Sequence, residues 1–208
     1  MKLKIIVYYD DSFTEKEKAK HITAMALAEI AINSVEFRDA VLSHRFTSTK
    51  MGSQAIYNLI MSGKDKFDPS PDHEIDVDPT LYYKNNSTVG YTYPSTVRTW
   101  INKKFFATYS YASIAGNAIH EAIHNKGFGH SSAKDHGSVP YFVGYLVRDL
   151  VKRLVRGENL TPIDGLYIPR IGAQEVQNTT LPATPRQKVV CYRSWRTLWF
   201  KRCHKRDV

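Results

Sequence analysis

The chain has 208 residues, 42% hydrophobic and 24% charged. That balance fills one globular core and excludes wholesale disorder, a collagen-like repeat and a multi-pass membrane protein. The formal charge of +9 is uneven, because residues 186–208 carry eight Lys/Arg against the single acid Asp207, leaving the body of the chain nearly neutral.

Lys4 to Tyr9 is a β-branched and aromatic run that reads as a strand. It is too short for the roughly 7–15 residues of a signal-peptide core, and Asp10 and Asp11 stop it. No apolar run reaches the roughly 18–20 residues of a spanning helix, so a cytoplasmic location is the default expectation. Thr14 and Glu17 have capping-box spacing, and Glu15 to Ala31, free of Gly and Pro, reads as a helix.

Val35 to Leu42 reads as a second strand, Ser53 to Met61 as a short helix ending at Gly63, and Lys64 to His73 as a polar loop. Glu74 to Tyr83 reads as a strand interrupted near Pro79. Thr88–Tyr93 and Val97–Phe106 are two further apolar-aromatic runs parted by Pro94 and Ser95. Helices are expected over about Ser113–Lys126 and Pro140–Val155, the second opening on a proline. The order implies an α+β fold with a mixed sheet and helices packed on it. Three segments are expected: a globular domain over 1–157, an irregular wrapping segment over 158–185, and a basic, aromatic tail over 186–208.

Four of the eight histidines fall between His120 and His136. Their core is His120-Glu121-x-x-His124-x-x-Gly127-x-x-His130. On a helix His120 and His124 lie one turn apart on one face, so both imidazoles can converge on one ion. Glu121 is offset, placed to approach a metal-bound water without becoming a ligand. Gly127 permits a positive φ and a sharp turn that returns His130 as third ligand. Three protein nitrogens leave the fourth position of a tetrahedral zinc ion open, the mark of a catalytic site. A shuffled chain of this composition would show the full pattern about 2 × 10⁻⁵ times, so chance does not account for it. Ala115, Ala118, Ile119, Ala122 and Ile123 form the apolar face of the same helix, expected to bury against the sheet.

The stretch from His120 to His130 resembles the extended zinc signature of the metzincin clan of metallopeptidases. The resemblance implies a zincin-like fold: a mixed twisted sheet packed on an active-site helix and a backing helix, with a further helix following. It also implies a zinc endopeptidase acting on a peptide or protein substrate, with Glu121 as general base and proton shuttle. The close match covers about eleven residues, and the order of elements extends it over about 90–146. The methionine for which the clan is named has no counterpart here, since Met1, Met25, Met51 and Met61 all precede His120. Ser138-Val139-Pro140-Tyr141 resembles that turn with Pro140 in its place. No pro-segment or cysteine switch is apparent upstream, so no latent form is expected.

Around this core, Gly90, Tyr91 and Tyr93 would lie on a strand near the cleft, where an extended peptide could add alongside and the tyrosines line a pocket. Ordinary cross-strand aromatic packing is the competing account. Tyr141 and Tyr145 are candidates to stabilise an oxyanion, with core packing as their alternative. Asp135 and His136 could support the ligands or belong to a solvated loop.

In the tail, Trp195 and Trp199 are four apart, so a helix would group them beside the arginines. Such a surface suits an anionic membrane or nucleic acid, or an aromatic clasp on the domain, and it is not a recognised nucleic-acid motif. Cys191 and Cys203 could be free thiols, one bridge closing the tail, or an intermolecular link. Two other functions remain open: a catalytically weak zincin-like protein that holds a peptide, and a binding protein acting through its tail.

Overall fold

A computed structural model describes residues 2–93, 96–130 and 136–164, with the backbone of 188–193 and 201–206. In chain order the elements are β1 (Lys4–Val7), α1 (Glu15–Ile32), α2 (Val35–Ser43), α3 (Ser53–Met61), β2 (Glu74–Tyr82), β3 (Gly90–Thr92), β4 (Arg98–Asn102), the single turn α4 (Lys103–Phe106), α5 (Tyr111–Asn125), α6 (Val139–Val155), β5 (Lys188–Arg193) and β6 (Lys201–Arg206). The fold is α+β. No described helix is long and apolar enough to cross a membrane.

The main sheet has the order β1-β2-β4-β3. β1 and β4 run parallel to β2, and β3 is an antiparallel edge strand beside β4. Alternation assigns the faces: Ile75, Val77, Leu81 and Ile101 are buried in the core, whereas Asp76, Thr80, Tyr82 and Trp100 are half-buried on the other side. α1 carries the expected capping box, with the Thr14 side chain accepting from Glu17 N–H and the Glu17 carboxylate accepting from Thr14 N–H. Its buried side, including Ala24, Leu27, Ala28 and Ala31, packs on α5, α6 and β1.

Two local expectations are corrected. Residues 35–43 form helix α2, not a strand. Phe37 and Val41, spaced i, i+4, are both fully buried, whereas a strand would have aligned Asp39 with them on the apolar side. Ser34 caps this helix by accepting from Phe37 N–H. β2 also runs unbroken through Pro79. Tyr8 N–H bonds Val77 O, and Leu81 N–H bonds the Ser12 hydroxyl, so the odd positions of β2 face the β1 side. Pairing with β1 ends at Val77, so Pro79 lies just past it and no ladder bond is lost to its missing N–H.

Beyond α6 the chain returns to the α1–α2 junction. Val35 N–H bonds Thr161 O, Ile163 N–H bonds Asn33 O, and Leu160 is buried. Residues 165–187 lie outside those described. In the tail, β5 and β6 form an antiparallel ribbon, with Cys191 directly opposite Cys203. Trp195 and Trp199 lie outside the described residues.

Candidate metal centre

α5 begins at the Ser110 N-cap and holds Ala112, Ala115, Ala118, Ile119, Ala122 and Ile123 in the core. This apolar face packs chiefly on α6 and α1, and less on the sheet than its sequence implies. His120 and His124 stand one turn apart on the remaining side. The helix ends at Asn125 with Lys126 as its C-cap, and Gly127 follows at φ 97° with its N–H on the His124 carbonyl. This left-handed turn brings His130 back, so that its Nε2 lies 3.0 Å from His120 Nε2 and 2.9 Å from His124 Nε2. Three nitrogens bound at about 2.0 Å in tetrahedral geometry would stand about 3.3 Å apart, so small ring rotations separate this arrangement from a ligand set.

The partners of the other ring nitrogens show what these atoms can do. His124 Nδ1 is 2.7 Å from Phe128 O. The His120 ring bonds the backbone of Pro140, which has no N–H, so its carbonyl is the acceptor. Both imidazoles therefore carry their proton on the far nitrogen and turn Nε2 lone pairs toward His130. Burial and the neighbouring imidazoles keep His120 and His124 neutral, moving His120 down to about 3. Converging, neutral, carbonyl-oriented imidazoles fit a transition-metal cation. Among the described residues, His120, His124 and His130 are the one group of potential ligands so arranged.

Glu121 points into the body of the protein and is 6% exposed. Burial raises its pKa to about 7, opposed by a hydrogen bond from Thr92 N–H. That bond locates the centre against the sheet edge. Asn102 N–H bonds Val89 O, so Val89 and Tyr91 direct their main-chain groups at β4, and Gly90 and Thr92 direct theirs at the open edge.

The other sequence candidates divide. A Cβ on Gly90 would come 3.0 Å from Asn117 Nδ2 and 3.1 Å from Trp100 O, so α5 and β4 occupy the space its missing side chain leaves. Tyr91 stacks on Trp100 at 5.4 Å, and Tyr93 meets both rings edge-on. By register these rings share the sheet face opposite Gly90 and Thr92. Pro140 is buried in the first turn of α6, so Ser138–Tyr141 is a helix start and its carbonyl is what reaches His120. Tyr141 lies 4.7 Å from both the His120 and His130 rings and meets Tyr145 at 5.8 Å. His136 lies against Tyr145, and its carbonyl accepts from His44 Nε2. Asp135 lies outside the described residues.

Sequence reasoning missed three supports. Gly116 and Gly144 form the crossing of α5 and α6: a Cβ at Gly144 would lie 2.8 Å from His120 Cβ, and one at Gly116 would lie 2.7 Å from Gly144 O. Two mid-helix glycines without a capping role were the available signal. Thr92 supplies the amide for Glu121. Lys126 is buried and donates to Gly63 O and Lys64 O, tying the end of α5 to the loop after α3; burial lowers its pKa to about 8.

Compared with known proteins, the sequence matches no family model and no curated protein.

Proposed function

We propose that this chain is a zinc-dependent endopeptidase with a zincin-like catalytic domain, similar to the metzincin clan but with Pro140 where the clan has methionine. The observation that carries the reading is the convergence of three imidazole Nε2 atoms beside a buried carboxyl group. His120, His124 and His130 would hold the ion. What zinc supplies when bound is Lewis acidity toward a carbonyl oxygen and toward water.

The chain's own groups do the rest. Glu121 takes a proton from the attacking water and returns it to the departing amine. Burial gives its carboxyl the near-neutral basicity that both transfers require. Thr92 N–H aims that carboxylate. The open edge of β3 offers Gly90 N–H and C=O and Thr92 C=O to an extended peptide lying alongside. The carbonyls of Pro140 and Phe128 hold the two helical imidazoles in their ligating tautomer.

The test is metal content alongside cleavage of a mixed peptide library, on wild type and Glu121→Gln. About one zinc per chain in both proteins is expected, with turnover in the variant lower by about 10²–10⁴-fold. Zinc without cleavage in wild type would leave a peptide-holding protein instead of an enzyme. An absence of bound metal would overturn the reading altogether.

A further inference from the structure

The terminal ribbon presents a problem of its own stability. Two-stranded ribbons are marginal in water, and this one sets like charges directly opposite each other, Lys188 with Arg206 and Arg193 with Lys201. Opposed like charges weaken a strand pair. The same register places the chain's two cysteines, Cys191 and Cys203, directly across from one another. Directly opposed residues in antiparallel strands have Cα atoms about 4.5 or 5.5 Å apart, depending on the hydrogen-bonding type of the pair. Both values fall within the roughly 4.4–6.8 Å range of disulfides.

We infer that Cys191 and Cys203 are a thiol–disulfide pair that closes the terminal ribbon covalently. Six Lys/Arg and no acid occur in the two strands. This positive surrounding favours the thiolate, the form that reacts. The oxidant is a small-molecule disulfide such as oxidised glutathione. One thiolate attacks it, breaks its S–S bond and releases one thiol. The second thiolate then attacks the mixed disulfide, forms the Cys191–Cys203 bond and releases the other thiol. The two cysteine thiols lose their protons and two electrons, and the small disulfide is reduced by the same two electrons. The bond would enclose residues 192–202, which carry Trp195, Trp199 and Phe200 among four Lys/Arg. The pair thus couples the covalent state of this basic, aromatic segment to the surrounding thiol balance, independently of the peptidase reading.

The test equilibrates the full chain in graded ratios of reduced to oxidised glutathione. Free thiols are then alkylated in denaturant, and the intact mass is measured. Wild type is expected to become a monomer with no alkylated thiol, lighter by two hydrogen atoms. The double variant Cys203→Ser, His204→Cys moves the second thiol to the other face of the ribbon, opposite Val190. It should need a ratio about tenfold more oxidising to close. Equal closure in both proteins would mean that the opposed register has no part in it and would overturn the inference. Persistent free thiols in wild type, stable glutathione adducts or disulfide-linked dimers would overturn it equally.

Discussion

His120 and His124 each commit one ring nitrogen to a main-chain carbonyl, so the remaining nitrogen of each is a lone pair turned toward His130 Nε2. The chemistry of the centre follows from that pairing as much as from the spacing of the histidines. A fully buried histidine elsewhere shows the opposite use of the same residue. His21 is fully buried among Tyr9, Phe13 and Phe106, with Nδ1 2.9 Å from the Tyr9 hydroxyl and its Nε2 without a partner among the described residues. Burial lowers its pKa to about 3. Between that value and the ordinary 6.5, the unfolded chain binds a proton that the folded chain refuses, so stability is complete above pH 6.5 and falls as pH drops. The loss approaches about 1.4 kcal/mol per pH unit. In urea unfolding, His21→Gln should show about 1.6 kcal/mol less loss than wild type between pH 6.5 and 5. An unchanged difference would place the acid sensitivity elsewhere.

At the scale of elements, the α5–α6 crossing sets the distance from His120 to the Pro140 carbonyl and Tyr141. Gly144→Ala would place a methyl group against both His120 Cβ and the Gly116 carbonyl. Neither is the free end of a flexible chain, so the helices must part. A stability loss of about 1–3 kcal/mol is expected, together with weaker zinc affinity by competitive chelation. A stability loss with unchanged affinity would show that the crossing does not position the ligand. Asn33, at the end of α1, is the corresponding joint for β1. Its side chain accepts from Leu3 N–H and donates to Leu3 O and Glu29 O. Asn33→Ala strands the buried Leu3 groups and should cost about 1–3 kcal/mol in denaturant unfolding.

Local signals were legible at this scale where one element decides its own form. The Thr14–Glu17 box, the Gly63 stop and the spacing of His120 and His124 involve residues within a turn of one another. The nature of 35–43 was not legible in that way. Val35, Phe37 and Val41 suit a strand by type, and only their burial beneath neighbouring elements selects the helix. Pro79 likewise reads as a break until the end of β1 is known to lie beside it.

For the whole molecule, three histidines drawn from α5 and from the chain beyond it would make metal binding a constraint on the fold. If zinc is held at a hundred times its dissociation constant, its removal should lower stability by about 2.7 kcal/mol. In a chain of this size that corresponds to a fall of about 5–10 °C in Tm on adding a chelator. The fall should vanish in His124→Ala, and an equal fall in that variant would mean that the metal binds elsewhere.

The sequence by itself determined the spacing that brings three histidines together, the neighbouring carboxylate and the turn at Gly127, because helical period and backbone sterics act over a few residues. It also determined the α+β class and the concentration of charge in the tail. Only the tertiary structure decided which way the imidazoles carry their protons, how deeply Glu121 lies and which amide holds it. It also decided that Gly90, Gly116 and Gly144 serve close approach and that Cys191 faces Cys203. Each of these depends on atoms from another strand or helix. Burial, tautomer and register are properties of pairs brought together by the fold, and no local pattern specifies the partner.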